Sequence, residues 1–495
     1  MVFLTVTIII ASVAERAWAE PRTAGPVVVL NDDGAWCWFH SPRAVITKAG
    51  VLLVSSAAAG TSDDQRTGNI EVARYDLGAD PPQPPEVTTL DHTIGSSNDH
   101  NAAALVVVDE DPPQVLAVWS GHGTDALVRS SRSVGDDARQ WTPVNRFRPD
   151  PRGSAVTYSN LARLAAEDGR IYNFFRGPSR WHPSFIFSDD GGRSWDPSSL
   201  GVLVGNAWSS GGPSRGHRPY LRYASDSERR VHMIYTEGHP QEYHHTGVYH
   251  VYYEGGALWT SNGTRLAALA PKNADGSGGG GGLDHPNMGS QIFAGRADAV
   301  AWVTDLVIEP STGHPVALFT VRVGGGRRAD DHRFRLARWD GSAWRVSSPD
   351  IAFAGTALYS AQIDYTGLGA IDPGDSRRVV ISTDAHPSTG VPLVSATDGR
   401  RHYELYLGRE QADARWEWTP LTSDSAEDNI RPVVAEWKRG GTGNDQRVVV
   451  VTWLRGVYTT YKIFDLEVAL MRLDSVSGSL DRPVEDVPAE WTRQA

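Results

Sequence analysis

Two histidines bracket one apparent hairpin in the segment SSNDHNAAALVVVDEDPPQVLAVWSGHG, Ser96 to Gly123. His100 stands just before the first strand-like run and His122 just after the second. Paired antiparallel strands bring the start of one and the end of the other to the same edge, so both rings can reach one cleft. Taken singly, each is one of 16 histidines and reads as an ordinary surface or packing residue. Other chemically capable residues occupy comparable places. Arg43 (HSPRAV), Tyr158 (TYSN), Arg218 (GHRPY) and Arg431 (NIRPV) stand near the start of strand-like runs, and Arg176 (NFFRG) and His239 (TEGH) at the ends of others. These types suit proton transfer beside a stabilised anion. Imidazole, with an ordinary pKa of roughly 6.5, is a base near neutrality. A phenol can give a proton, or take one if an arginine lowers its pKa. The planar guanidinium fork matches a carboxylate. No pair of carboxylates accompanies the set, which is unusual for a hydrolase.

Residues so far apart in sequence meet only if a repeated architecture gathers them. A unit recurs: a polar or aromatic start, an apolar strand, a turn, a second apolar strand, then a polar hairpin. It begins near His40, Asn98, Thr157, Gly216, Ala301, Tyr359 and Asn429. Turn signals lie at Asp168-Gly169, Asn262-Gly263, Asp340-Gly341 and Asp398-Gly399. The abundance of glycine (50) and tryptophan (17) fits strands and tight turns, and no helical period of useful length follows the leader. An all-β, seven-bladed β-propeller is predicted, with a pair of sandwiches as the competing arrangement. The first strand of each blade then lines a central channel. SDDGGRSW, Ser188 to Trp195, fits the Asp-box pattern, a structural turn in which Asp190 caps amides and Trp195 packs between blades. The glycine-rich run from Gly276 to Gly282 reads as a flexible loop.

The motifs NDDGAWCWFHSPRAV, NDHNAAALVV, WSGH, TYSNLARL, NFFRG, FSDDGGRSW, RPYLRYA and TEGHPQEY together resemble the BNR-repeat carbohydrate-active proteins that include ulvan lyases and rhamnose–glucuronate lyases. The resemblance spans roughly residues 28 to 470 and is carried by the package rather than by any single motif. It implies a seven-bladed propeller and β-elimination at a uronic acid, glucuronate or iduronate next to rhamnose. In that chemistry a base removes the weakly acidic C5 proton. A cation stabilises the charge growing on the C6 carboxylate, and an acid protonates the departing O4. By resemblance, His100, His122, Tyr158 and Arg176 fall on the family's catalytic positions. Which histidine is the base stays open, with His100 favoured and His122 orienting it or sharing the role. Tyr158 would be the acid or second proton-transfer group, and Arg176 the neutraliser. Arg43, Arg218, His239 and Tyr243 are the candidates for holding the sugar. TYSN departs from the TYPN expected of relatives, which alters loop stiffness but not the phenol.

Composition bounds the partners. A formal net charge of −12 argues against nucleic acid and anionic membrane surfaces. An anionic polysaccharide or oligosaccharide therefore needs a local arginine cluster. Residues 1–19 read as a signal peptide, an apolar stretch followed by Ala17-Trp18-Ala19, although the n-region has no Lys or Arg; an uncleaved anchor is the second reading. The mature chain is expected to be secreted, and to have no membrane contact after cleavage. The expected organisation is a propeller over 20–475 and a polar tail over 476–495, as a monomer. Cys37 is the only cysteine, so no intrachain disulfide forms, and in AWCWF it reads as a packed thiol. No metal motif occurs and no cofactor is expected; a structural metal ion is left open. His239, Tyr243, His244 and His245 share TEGHPQEYHH, where a sugar contact is favoured over a metal. Two other functions compete: a sialidase-like hydrolase using Arg43, Arg218 and Arg431 as a triad, and a non-catalytic carbohydrate-binding propeller. SPRAV matches the sialidase pattern poorly, and no Tyr–Glu pair is evident.

Overall fold

Each repeated unit forms an antiparallel sheet in the computed structural model. The structure describes residues 20–476 apart from 62, 124–125, 151–152, 178–181, 205–217, 270–281, 326–327, 360 and 440–445. The proposed leader, nearly all of the C-terminal tail and most of the glycine-rich run lie outside the described residues. Seven blades follow one another in chain order. Their innermost strands are Ala44–Ile46, Ala104–Val108, Thr157–Leu164, Tyr220–Ser225, Ala299–Ile308, Gly369–Ile371 and Asp428–Arg439. The ring closes through the N-terminal segment. Val27–Asn31 pairs with Ile463–Arg472 as the outermost strand of the last blade, so both ends of the propeller share one sheet.

The sequence chemistry explains the blades. Second strands such as Val51–Ala57 are buried at every position, because both faces of a blade pack on neighbouring blades. They are rich in the β-branched and apolar residues such a position needs. Asp168 and Gly169, both left-handed at φ 55° and 77°, close the connection between Leu164 and Arg170 after the 3-10 turn Ala165–Glu167, a longer loop than the two-residue turn the sequence suggests. In the Asp box, Asp190 accepts from Ser188 Oγ at 2.8 Å and from the Ser194 amide at 2.9 Å. Trp195 stacks on Phe147 of the preceding blade at 5.4 Å, the inter-blade packing expected of it.

One unit start differs from the sequence reading: the strand expected near Tyr359 begins at Gly369, whereas the strand of the first unit, Ala44–Ile46, lies within HSPRAVI as expected. The residues ahead of Ala44 have other work. Trp36, Cys37, Trp38 and Phe39 fill the propeller axis, each at most 3% exposed. The segment is tied to six blades, one of them through Arg431, which donates to the Trp36 carbonyl. Ala35 bridges Ala57, His40 Nε2 lies 3.0 Å from the His100 carbonyl, and the Ser41 amide donates to Asn160 Oδ1 at 2.7 Å. Arg222 donates to the His40 carbonyl, and Trp38 Nε1 donates to the Thr366 carbonyl at 2.9 Å. An all-apolar run reads as a buried strand from sequence alone. Here it is a plug.

Candidate active site

On one face of the plug lies a cleft of about 290 Å³. Its wall includes His100, His122, Tyr158, Arg176, Arg218 and His239, so six of the eight sequence candidates meet there. The blade geometry is responsible. His100 sits in a short 3-10 turn, Asp99–Asn101, just before Ala104–Val108; Asn98 caps that turn by accepting from the His100 amide at 3.1 Å. His122 follows Gln114–Ser120, the antiparallel partner of that strand. The two imidazoles stack face to face, with centroids 3.8 Å apart and 7° between planes. Tyr158 lies at a bulge in the inner strand of the third blade, with φ 68°. That left-handed backbone is strained for a bulky residue. Its ring stacks 5.3 Å from His100. Thr157 pairs with Arg176, which brings the Arg176 guanidinium 4.9 Å from the Tyr158 ring centroid.

The cations converge on Tyr220. Its hydroxyl accepts from Arg218 Nε at 2.6 Å and from Arg176 Nη1 at 3.4 Å. Among the described residues lining the cleft there is no carboxylate. The positive charge therefore faces the cleft, with the carboxylate of Glu242, itself not part of the lining, 3.8 Å from Arg218.

Buried neighbours divide the proton between the histidines. Asp99 is fully buried, with one oxygen 2.6 Å from His100 Nδ1 and the other accepting from Arg431 at 2.8 Å and from Tyr458 at 3.0 Å. Burial opposes the Asp99 charge, but His100 and Arg431 outweigh it and hold the carboxyl below the usual range. Burial also works against a charged His100, yet the Cys37 sulfur and the Asp99 carboxylate raise it to about 9. His122 goes the other way. Burial, then the positive charges of His100, Arg176, Lys462 and Arg218, push it far below the ordinary histidine range. At neutral pH the stack is one imidazolium and one neutral imidazole, since two charged rings at this separation would repel. Burial pushes the Tyr158 phenol well above 10, with Cys37 adding to the shift and Arg176 opposing it, so it is a proton donor in the resting site. His239 is pulled down to about 3 by burial, then by Arg218 and Arg176.

Two candidates for sugar contact lie elsewhere. Arg43 is buried at 1% exposure, donating to the Ser41 carbonyl at 3.2 Å and the Ser159 carbonyl at 2.6 Å; it braces the plug. Tyr243 packs on His245 at 4.2 Å and does not line the cleft. The sialidase triad does not form. Arg431 is held behind the cleft by Asp99 and the faces of Trp38 and Tyr458, and of the three arginines only Arg218 lines the cleft.

Sequence reasoning missed the aromatic wall: Trp38, Tyr220, Tyr359, Tyr365 and Tyr461, with Gln362. Tyr220 was visible in RPYLRYA as a strand start. Tyr461 comes from a hairpin tip of the last blade and meets both histidines edge-on at 5.2 Å, a contact with no local signal. Ligand atoms of Cys37, Asp99 and His100 lie within 4.8 Å of one another. Arg431 on the same carboxylate disfavours a cation there, so this donor set does not suit a metal.

A seven-bladed propeller with a carboxylate-free, arginine- and histidine-lined cleft at its axis is the class defined by this fold and site. The chain belongs to the BNR repeat-containing family, whose model matches residues 55–349. No curated protein matches it. Among solved structures it is similar to the crystal structure of polysaccharide lyase Uly1, with 9% identity, 92% of this chain and 98% of that chain covered, and a TM-score of 0.51. That likeness is one of fold. An α-L-arabinanase of Penicillium chrysogenum complexed with arabinobiose aligns at 13% identity over 76% of this chain and 94% of its own, with a TM-score of 0.40.

Proposed function

We propose that the chain is an exported polysaccharide lyase that cleaves a glycosidic bond at a uronic acid by β-elimination. The observation that carries this reading is the meeting of Arg176 and Arg218 at the Tyr220 hydroxyl, beside a stacked histidine pair, in a cleft with no carboxylate. A hydrolase of the ordinary kind needs two carboxylates flanking the bond. The solved likeness to polysaccharide lyase Uly1 is in keeping with this reading.

The uronate C6 carboxylate takes its place at Arg176, with Arg218 adding charge, where the fork stabilises the enolate-like anion. His122, neutral and cleft-lining, takes the C5 proton once the bound uronate's negative charge offsets the cations of Arg176 and Arg218 that hold it neutral in the empty cleft. This revises the preference for His100 as base: with Asp99 holding its proton, His100 is a poor acceptor and serves as a fixed positive charge behind His122. Tyr158, a protonated phenol, gives its proton to O4 as the C4–O4 bond breaks and the C4=C5 double bond forms. His122 then returns its proton through solvent, and Tyr158 regains one.

The test is incubation with a panel of uronic-acid polysaccharides, including rhamnose-linked glucuronate and iduronate, read by the near-ultraviolet absorbance of the unsaturated uronate. New reducing ends without that absorbance would make the chain a hydrolase. Binding without either product would make it a carbohydrate-binding propeller. For export, N-terminal sequencing of secreted protein is expected to begin at Glu20; intact Met1 protein confined to the cytosol would overturn that part.

A further inference from the structure

The plug splits the propeller axis in two. Opposite the cleft lies a chamber of about 410 Å³. The inner strand of the fourth blade runs from Tyr220 in the cleft to Ser225 at the chamber, so the two spaces face opposite ends of the molecule. The chamber rim is half-buried, at Leu161, Ser225 and Ile308.

Charge on this part of the axis is unbalanced. Arg43, Arg222 and Arg431 are buried, against two buried carboxylates, Asp99 and Asp305. Asp99 is committed to Arg431 and His100. Among the described residues neither Arg43 nor Arg222 has a carboxylate within 4.0 Å. Arginine remains charged when buried, and a buried charge without a counter-ion is costly. Arg222 lines the chamber. One of its nitrogens donates to the His40 carbonyl, and its Nε has no protein partner. Burial, opposed by Asp305, brings Arg222 down to about 10, a sign of the same unmet demand. Asp305 shares the chamber wall, with one oxygen accepting from the Ile371 amide at 2.8 Å. A second negative charge on a ligand would meet it, so the chamber favours a monoanion. Leu306, Ile371 and Val433 supply an apolar wall, and the volume exceeds what a halide fills.

We propose that this chamber binds a small aliphatic monocarboxylate, its carboxylate at Arg222 and its hydrocarbon body against Leu306, Ile371 and Val433. The site is independent of the reaction in the cleft, and its test does not read activity.

Butyrate is titrated into the full chain by calorimetry, with butyramide and chloride as comparison ligands at matched ionic strength. One saturable butyrate site is expected, with butyramide and chloride much weaker. Arg222→Gln should weaken butyrate roughly ten- to a hundredfold, the range of a hydrogen bond to a charged group. Ala224→Leu, which narrows the half-buried rim without touching a buried charge, should also weaken it. This variant carries the test if Arg222→Gln does not fold. Arg218→Gln, in the cleft, should leave butyrate binding unchanged. Equal binding of butyramide, loss in Arg218→Gln alone, or no saturable binding would each overturn the proposal.

Discussion

The rings of His100 and His122 lie 3.8 Å apart and nearly parallel, yet their protonation preferences are opposite: Asp99 charges the first, and the cations of the cleft keep the second neutral. This displaces the pH behaviour expected from composition alone. A histidine base of ordinary pKa would give a rising limb near pH 6.5. With His122 as base, kcat/KM, which reports the free enzyme, is expected to hold through that range and to fall as pH rises through about 9, where His100 loses its proton and the site its fixed positive charge. A rising limb centred near 6.5 in kcat/KM would refute the assignment.

Folding stability should follow the same group. His100 binds its proton more tightly folded than unfolded. Its contribution is therefore complete below roughly pH 6.5 and fades as pH rises through about 9. His122 has the reverse sign: its contribution is present above roughly pH 6.5 and is lost as pH falls below it. In Tm measured against pH, His100→Gln should flatten the alkaline slope relative to the parent. An unchanged slope would show that His100 does not carry the raised pKa.

Arg176→Lys keeps the charge and loses the fork, and Arg176→Ala loses both. Turnover should fall in the order parent, Lys, Ala, with the alanine loss on the order of 100- to 1000-fold. Tyr158→Phe should also abolish elimination with little change in Tm. A double variant of His122 and Arg176 should lose less than the product of the single losses, as groups acting together do. Near-parental turnover in all the single variants would move the search to His239 and Arg218.

Gln241 should act on substrate binding without touching substrate. Its side chain donates to the Ala361 carbonyl at 2.9 Å and accepts from the Ile363 amide at 3.2 Å, clasping the segment that carries Tyr359, Gln362 and Tyr365 to the loop that carries His239. Gln241→Ala is expected to raise KM several-fold with kcat largely kept. A fall in kcat at constant KM would place its effect on the chemistry instead.

Trp195→Ala serves as the contrasting case. It removes a buried ring stacked on Phe147 between two blades, at a cost of about 3–5 kcal/mol of stability. Denaturant unfolding should show that loss, while kcat of the folded fraction stays at the parental value.

Local chemistry made much of this legible in sequence. Paired apolar strand runs, Asp-Gly and Asn-Gly turn signals and one Asp box pointed to a blade, and seven recurrences to how many. Strand antiparallelism alone put His100 and His122 at one edge, because the two ends of a hairpin must coincide. What lay beyond sequence was everything set by contacts between blades or across the axis. AWCWFH has the composition of a strand, and only the ring closed around it makes it a plug and turns Arg43 into its brace. Tyr220 gathers Arg176 and Arg218, and Tyr461 reaches the histidines from the last blade; neither contact leaves a trace in local spacing. The choice between the two histidines was likewise tertiary. The sequence places Asp99 beside His100, but a carboxylate neighbour in sequence says nothing of burial. It is the dry axis, with Arg431 arriving from 332 residues away, that keeps Asp99 ionised and so decides which ring holds the proton.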